Sequence, residues 1–207
     1  TQLTDRPHTD WAPQWASEGQ QVIFHAKDAD TNNWDIWLMD ADGSNLVNVT
    51  NHAALDMLPT VSPDGTKIAF VSNREDMAND NRDIYLMNLD GTGVERLTEA
   101  GGRDIDPTWS PDGTKIAFAS ERSGNTDIYV LDLETREIAL LAGSPELDSA
   151  PAWSPDGETI VYSSDINGER DLFTVPATGG EPQPLVSTEG KDFSPAWSPD
   201  GLWIVYY

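Results

Sequence analysis

The residues best suited to chemistry are a series of aspartates that recurs along the chain. One aspartate stands three residues before a proline in each of five similar segments: Asp10, Asp56, Asp104, Asp148 and Asp192. If the fold brings these positions together, their like charges need compensation. A hard cation such as calcium, held by oxygen ligands, would supply it, as would backbone N–H donors or a cationic ligand. The alternative is that each aspartate caps its own loop as an Asx turn.

A second group of oxygen side chains lies in one loop between two predicted strands. Alternate positions and the end of this loop carry Asp28, Asp30, Asn32 and Asp35. This pattern resembles the start of a calcium-binding loop, although the glycine and the bidentate glutamate of such loops are missing. The sequence therefore predicts a weaker metal site here, with a solvated hairpin loop as the alternative.

Groups for covalent or acid–base catalysis are few. The chain has three histidines, His8, His25 and His52, and no cysteine. The Gly-x-Ser-x-Gly motif of serine hydrolases is absent from the sequence. Carboxylates are so numerous that their presence does not indicate glycoside chemistry. We therefore predict no catalytic residue, and no cofactor other than calcium.

A sequence repeat must position the aspartates. The prolines that follow them are 44 to 48 residues apart: Pro13, Pro59, Pro107, Pro151 and Pro195. A Ser-Pro-Asp-Gly turn follows at Ser62, Ser110, Ser154 and Ser198, with a divergent copy at residues 16–19. Proline presets the turn, aspartate bonds its own backbone, and glycine accepts a positive φ. Such a period is typical of repeat architectures.

Each repeat predicts four short antiparallel strands. In the third repeat, a strand precedes the turn and a buried strand includes Ile116–Phe118. A third strand begins at Asp127, and a short strand that ends at Leu141–Ala142 closes the unit. These runs are β-branched or aromatic and are bounded by turn residues, as in propeller blades. The tryptophans before the turns are predicted to pack between neighbouring blades, with substrate stacking as the alternative: Trp15, Trp109, Trp153 and Trp197.

A second aspartate series opens the predicted third strands: Asp35, Asp83, Asp127 and Asp171. We expect these side chains to bond back to the hairpin loop before them. Arg74, Arg122 and Arg170 are their predicted partners. This series is therefore interpreted as structural.

The repeat resembles the TolB-type β-propeller repeat, a relative of WD-type blades. The resemblance rests on Asp-x-x-Pro-x-Trp-Ser-Pro-Asp-Gly-x-x-Ile-Ala-Phe followed by Asp-Ile-Tyr and Leu-Thr, and it covers nearly the whole chain. It implies an all-β propeller. Related blades occur in periplasmic scaffold proteins, in propeller domains of serine peptidases and in some polysaccharide lyases. Since the innermost strand lines a propeller's channel, the first aspartate series is predicted to form a ring at the channel mouth.

The repeats predict one domain, residues 1–207, with five blade-like units. Their approximate bounds are 5–50, 51–98, 99–142, 143–187, and 188–207 together with 1–4. The last unit lacks its outer strands, and the N-terminal segment is expected to close it. The alternative is a part of a longer array. Trp11 and Trp203 depart from the repeat and are weak candidates for partner binding near this joint.

Charge narrows the range of partners. The chain has 36 acidic and 12 basic residues, and its formal net charge is −24. Phosphates would be repelled, which argues against nucleic acid and anionic membranes as partners. No apolar run of membrane-spanning length occurs in the sequence. A periplasmic or extracellular location is implied by the family resemblance.

The sequence thus favours a non-catalytic binding or scaffold propeller outside the cytoplasm that presents an acidic channel face to a protein partner or a cation, calcium included. Two alternatives stay open. One is the propeller domain of a carbohydrate-active lyase or hydrolase, or of a larger peptidase. The other is a module that self-assembles by strand exchange at its incomplete last blade.

Overall fold

A computed structural model describes residues 2–5, 9–27, 31–188 and 190–207. The chain forms two compact units, Thr1–Glu99 and Ala100–Tyr207. The boundary between them lies within one residue of the predicted boundary between the second and third repeats.

The first unit contains two antiparallel sheets of four strands. Blade one consists of β1 (Asp10–Ala16), β2 (Gln21–Lys27), β3 (Trp34–Asp40) and β4 (Val47–Asn48). A 3-10 turn, Ser17–Gly19, joins its first two strands. Blade two consists of β5 (Asp56–Val61), β6 (Lys67–Ser72), β7 (Asp83–Asn88) and β8 (Glu95–Arg96). In both sheets the strands pair in chain order, as predicted for a blade.

The second unit contains two further blades and a hairpin. Blade three consists of β9 (Asp104–Trp109), β10 (Lys115–Ser120), β11 (Asp127–Asp132) and β12 (Ile138–Ala142). Blade four consists of β13 (Asp148–Trp153), β14 (Thr159–Ser164), β15 (Asp171–Pro176) and β16 (Gln183–Val186). The hairpin pairs β17 (Ala196–Trp197) with β18 (Ile204–Val205).

The prediction of an all-β propeller is confirmed, but the prediction of five blades was wrong. The described residues form four complete blades, and the fifth repeat contributes only the two-stranded hairpin. Residues 2–5, expected to close the last blade, form no strand. Leu3 instead packs against the apolar core of blade one. A Cβ on Gly43 would lie 2.8 Å from the Leu3 carbonyl oxygen, so this close approach requires glycine.

In each unit, an apolar cluster lies between the two blades. In the first unit, Ile23 and Ile36 of blade one pack with Phe70 and Tyr85 of blade two. In the second unit, the apolar residues of blades three and four form one cluster that includes Trp153. The prediction that a tryptophan packs between neighbouring blades is therefore confirmed for Trp153.

Every first strand, and the segment before β17, carries a residue in the left-handed region. The same repeat position, directly before the proline, has φ between 46° and 55° at Ala12, Leu58, Asp106, Ala150 and Ser194. In the four complete blades the pairing register shifts at this point, which marks a β-bulge. A side chain in this region costs about 1–2 kcal/mol, and the sequence pattern did not indicate it.

We expect Ala150→Gly to raise the free energy of unfolding by about 0.5–1 kcal/mol. Glycine relieves the left-handed strain at Ala150. The larger conformational entropy of glycine in the unfolded chain offsets only part of this stabilisation. Ala139→Gly, on an exposed strand position with ordinary φ, is the matched control and should lower it by about 0.5–1 kcal/mol. Urea denaturation of both variants measures this difference. Equal losses in the two variants would show that the bulge is unstrained.

Candidate functional site

The first aspartate series, here called the first-strand aspartates, holds equivalent places in the fold. Asp10, Asp56, Asp104 and Asp148 are the first residues of β1, β5, β9 and β13. Asp192 lies ahead of β17. Asp10 and Asp56 belong to the first unit, and the other three belong to the second. All except Asp10 are buried, so each of these carboxylates needs compensation inside the protein.

Two of the first-strand aspartates are neutralised by arginine. In blade two, Arg74 Nη2 donates to both carboxylate oxygens of Asp56, at 3.0 and 3.1 Å. In blade three, Arg122 Nη2 donates to both oxygens of Asp104, at 3.2 and 3.0 Å. Both aspartates are fully buried, and both arginines are mostly buried. Each pair is therefore a desolvated ion pair.

Each of these arginines also contacts a serine and two aromatic rings. The arginine with these contacts and its first-strand aspartate is here called an arginine clamp. Arg122 Nε donates to Ser120 Oγ at 2.8 Å. Its guanidinium carbon lies 5.2 Å from the ring centre of Phe118 and 4.8 Å from that of Tyr129. Blade two repeats this arrangement with Arg74, Ser72 and the rings of Phe70 and Tyr85. Cation–π contacts of this kind favour the charged guanidinium.

The prediction that these arginines bind the third-strand aspartates was therefore wrong. Arg74 and Arg122 bind first-strand aspartates, and Arg170 binds Asp165 at 2.7 Å. Asp83 instead forms an ion pair with Arg96 at 2.8 Å. The clamp arginines follow the second strand and fold back over the sheet, which brings them to the start of the first strand.

The expected bond from third-strand aspartates to the preceding loop is confirmed in blades three and four. Asp127 accepts a hydrogen bond from Ser123 Oγ, and Asp171 accepts one from Asn167 Nδ2 at 3.0 Å. Asp35 accepts a hydrogen bond from Thr50 Oγ1 at 3.2 Å, and part of the loop before Asp35 lies outside the described residues. These carboxylates stabilise the hairpins, as their structural interpretation required.

Within the described residues, three first-strand aspartates have no arginine clamp. Asp10 accepts from Thr4 Oγ1 at 2.6 Å, Asp148 from Ser144 Oγ at 3.3 Å, and Asp192 from Thr188 Oγ1 at 2.8 Å. In each, the other carboxylate oxygen is buried and has no hydrogen-bond partner among the described residues. An unsatisfied buried acceptor is costly, so these oxygens are open sites for a donor or a cation.

Burial acts on the protonation of these groups. Burial raises the pKa of Asp148; hydrogen bonds from Ser164 and Ser144 oppose that rise, and the charge of Asp127 adds to it. Burial also raises the pKa of Asp56, and the Arg74 charge is the main opposing influence. Asp56 thus has Arg74 to stabilise its charged form, whereas Asp148 has no such cation among the described residues.

Asp106 adds a further carboxylate to the first strand of blade three. It occupies the bulge position of blade three, where the other blades carry uncharged side chains. Its Oδ2 accepts a hydrogen bond from the bulge N–H of Ala150 in blade four, at 3.3 Å. Burial raises the pKa of Asp106, while this bond and the charge of Arg170 lower it. Asp106 therefore ties neighbouring bulges together.

The loop predicted as a weaker calcium site is described only in part. Asp28 and Asp30 lie outside the described residues. Asn32 and Asp35 line one cavity of about 560 Å³, together with Asn51 and His52. Asp35 is buried and already accepts hydrogen bonds, one of them from the His52 backbone N–H. Within the described residues, no three His, Asp or Glu side chains are grouped so that they could hold a metal ion.

An asparagine that sequence reasoning missed secures this loop. Asn33 Nδ2 donates to the carbonyl oxygens of His52 and Ala54, at 2.5 and 2.6 Å. Asn125 makes the same two bonds in blade three, to Ser144 and Glu146. The available signal was the shared Asn-x-Asp spacing at 33–35 and 125–127.

The remaining candidate residues are spread over the two units. Trp11 is 56% exposed in the first unit, and Trp203 is 72% exposed in the second. His25 is buried, which lowers its pKa to about 4, and its Nδ1 accepts the Leu58 backbone N–H. His8 lies outside the described residues. His25 is thus a neutral structural histidine near pH 7.

Comparisons with known proteins agree with this architecture. A family model described as the TolB beta propeller domain matches residues 75–141 and 125–207, which together make up more than half of the chain. A TolB homologue from Chlorobaculum tepidum is 42% identical over 52 residues, which cover 25% of this chain. The match covers only 12% of that relative's length.

Solved structures share the fold at low sequence identity. A protein assigned as TolB from Agrobacterium tumefaciens superposes with a TM-score of 0.84 at 22% identity, over 99% of this chain and 71% of its own. Oligogalacturonate lyase from Vibrio parahaemolyticus superposes with a TM-score of 0.72 at 19% identity, over 98% of this chain and 63% of its own. No helix among the described residues is long and apolar enough to cross a membrane.

Proposed function

This chain belongs to the TolB β-propeller domain family, and from that premise we propose that it is a non-catalytic binding or scaffold module. In this proposal the propeller acts outside the cytoplasm, in the periplasm or the extracellular space. In each unit, the first-strand aspartates without an arginine bind a cationic group of a protein partner or a bound cation: Asp10 in the first unit, and Asp148 and Asp192 in the second. The rigid blades hold these carboxylates in place, and the partner supplies the missing positive charge.

One observation carries the proposal. Asp10, Asp148 and Asp192 each keep one buried carboxylate oxygen without a partner among the described residues. The equivalent aspartates of blades two and three have both oxygens bound by arginine. Since the repeat itself fills this position with a cation in two blades, a cation from elsewhere is the natural complement in the other three.

The overall charge supports the same class of partner. A formal net charge of −24 attracts basic proteins over a distance set by the ionic strength and repels nucleic acid. Charge of this kind mainly raises association rates and discriminates against anionic partners. The unpartnered carboxylate oxygens would then provide the specific contacts.

The test uses a defined basic probe, an oligolysine peptide, at physiological salt. We expect the triple variant Asp10→Asn, Asp148→Asn and Asp192→Asn to bind this peptide at least about tenfold more weakly than the wild type. The reason is that the variant loses charge-assisted hydrogen bonds to the lysine side chains. The control variant replaces three exposed glutamates, Glu134, Glu137 and Glu181, by glutamine. Calorimetry should find less than about a twofold change there. If both triple variants bind the peptide equally weakly, the binding is non-specific charge attraction and the proposal is rejected.

Calcium is the inorganic candidate for the same role. Arginine already binds Asp56 and Asp104, so these two aspartates are not candidate calcium ligands. The remaining candidates are the three aspartates without an arginine clamp and the loop that contains Asp28, Asp30, Asn32 and Asp35. Calcium would be titrated into chelator-treated protein by calorimetry, with a melting curve at each end point. Saturable binding and a higher melting temperature would support this site. If calcium gives no binding heat and no shift in melting temperature, the calcium proposal is rejected and the proposal of a cationic protein partner stands.

An enzymatic role is the second candidate function, favoured by the fold shared with oligogalacturonate lyase. In this reading the chain is the propeller domain of a carbohydrate-active lyase or hydrolase, or of a larger peptidase. Incubation with oligogalacturonate, followed by product analysis, tests the lyase reading. Turnover that survives in the triple aspartate variant would replace the scaffold proposal by an enzymatic one.

Self-assembly is the remaining candidate, suggested by the two-stranded hairpin of the fifth repeat. Val205 of β18 and the following Tyr207 are both exposed there. A strand from another copy would extend this small sheet by edge pairing. Sedimentation at several protein concentrations separates the cases, because strand exchange makes the mass rise with concentration.

A further inference from the structure

Blade four lacks the arginine clamp of blades two and three but keeps the rest of it. The clamp arginine stands 18 residues after the first-strand aspartate and two residues after a serine, as in Ser120 and Arg122. Blade four has Ser164 at the serine position and Ile166 at the arginine position. The substitution of an apolar side chain for the arginine leaves Asp148 without its intramolecular cation.

The backbone and the serine of the clamp have the same geometry in blade four. Asp148 pairs with Ser164 across the sheet, as Asp104 pairs with Ser120. The backbone N–H of Ile166 donates to Ser164 Oγ at 3.3 Å, and that of Arg122 donates to Ser120 Oγ at 3.3 Å. The chain therefore turns the same way at both positions.

The aromatic rings of the clamp are also retained. Tyr162 and Phe173 have ring centres 6.1 Å apart, and the clamp rings of blade three, Phe118 and Tyr129, are also 6.1 Å apart. In blade three these rings are covered by a guanidinium. In blade four the side chain at the clamp position, Ile166, is 46% exposed and carries no charge.

The nearby arginine of blade four does not replace the clamp. Arg170 Nε and Nη2 bind Asp165, and its Nη1 donates to Ser149 Oγ at 3.2 Å. Its guanidinium carbon lies 5.2 Å from the ring centre of Phe193, outside the Tyr162 and Phe173 pair. Asp148, which is 1% exposed, keeps Oδ2 without a hydrogen-bond partner among the described residues.

We propose that Asp148, Ser164 and the ring faces of Tyr162 and Phe173 form a binding site for the guanidinium of an arginine side chain carried by a protein partner. This inference rests on the proposed binding function and names the group that one of its carboxylates recognises. The inserted arginine takes the place that Arg74 and Arg122 occupy in their own blades. Binding requires a conformation of Ile166 that leaves the partner's arginine side chain a path to Asp148.

Guanidinium suits this site better than ammonium. Its planar fork gives two parallel hydrogen bonds to a carboxylate and a further donor for a serine hydroxyl. Its face also stacks on aromatic rings, which a strongly hydrated ammonium does less well. Because burial raises the pKa of Asp148, a bound guanidinium would also stabilise the carboxylate form.

The experiment titrates the whole chain with N-acetyl-arginine amide at physiological salt and follows the backbone amide signals of Asp148 and Ser164 by NMR. N-acetyl-citrulline amide is the neutral isosteric ligand, and N-acetyl-lysine amide is the ammonium control. The variant Ile166→Arg supplies the clamp from within the chain, and Ile166→Met is its uncharged match. We expect saturable shifts with the arginine ligand, weaker ones with the lysine ligand and none with the citrulline ligand, in the wild type and in Ile166→Met.

In Ile166→Arg, the same ligand should bind at least about tenfold more weakly, because the site is already filled. The ligand-free variant should also melt at a higher temperature than Ile166→Met. Asp148→Asn tests the carboxylate independently and should abolish the shifts even if Ile166→Arg fails to fold. Equal responses to arginine and citrulline, tighter binding of the lysine ligand, or no response in the wild type would each overturn the arginine site.

The two proposals fail in different ways. Loss of oligolysine binding in the triple aspartate variant, together with equal arginine binding by Ile166→Arg and Ile166→Met, would reject only the blade-four site. Equal oligolysine binding by the triple aspartate and triple glutamate variants would reject the broader binding function.

Discussion

Replacement of Arg122 by methionine should lower the free energy of unfolding by about 3–5 kcal/mol, one of the largest effects available to a single substitution in this chain. Asp104 has no exposed surface, and Arg122 binds both of its carboxylate oxygens. Methionine keeps much of the side-chain volume but leaves an uncompensated charge inside the protein. Breaking a buried ion pair from one side typically costs this much.

Two further variants isolate the cause. Arg82→Met breaks an ion pair at 2.8 Å between partly exposed side chains and should cost less than about 1 kcal/mol. Adding Asp104→Asn to Arg122→Met should recover much of the loss, since it removes the buried charge. Urea denaturation gives the free energy of each variant. If Arg122→Met and Arg82→Met have equal effects, the Arg122 clamp is not desolvated.

The blade pattern was predictable from sequence because its signals are local. A turn such as Ser110–Gly113 depends on the properties of its own residues: Ser110 Oγ donates to Asp112 Oδ1 at 2.6 Å, and Gly113 has φ of 72°. The apolar run Ile116–Phe118 is buried because both of its faces are covered by protein. Strand positions and chain-order pairing follow from such features.

The partner of each first-strand aspartate was not predictable in the same way. Cross-strand pairing places Ser72 opposite Asp56, and the loop beyond Ser72 then turns Arg74 back over the sheet. That return depends on strand register and on the path of the loop, neither of which shows as periodicity. Ile166 identifies a missing clamp in blade four only through its structural equivalence with Arg74 and Arg122.

The blade count failed for a related reason. The fifth repeat contains the first two strand signals, and the turn at Ser198–Gly201 forms as expected, with Gly201 N–H donating to the Ser198 carbonyl oxygen at 2.9 Å. Local signals thus produced a hairpin. Whether Leu3 would join that hairpin depended on long-range packing, and Leu3 packs on the core of blade one instead.

The tryptophans of the repeat give the second large prediction, because equivalent positions differ in burial. Trp153→Ala should lower the free energy of unfolding by about 3–5 kcal/mol, since Trp153 is 9% exposed and fills the core between blades three and four. Trp15→Ala, at the same position of blade one, should change it by less than about 0.5 kcal/mol, since Trp15 is 65% exposed.

The comparison tests whether the repeated tryptophan serves packing or ligand stacking. Trp153→Phe should recover part of the loss, because a smaller ring still fills some of the cavity. Thermal and urea unfolding of the three variants give the free energies. A large loss from Trp15→Ala would mean that its exposed ring is covered by a partner or another copy under the conditions of the measurement. Small losses of stability from both alanine variants would show that the tryptophans contribute little to core packing, and would favour ligand stacking as their role.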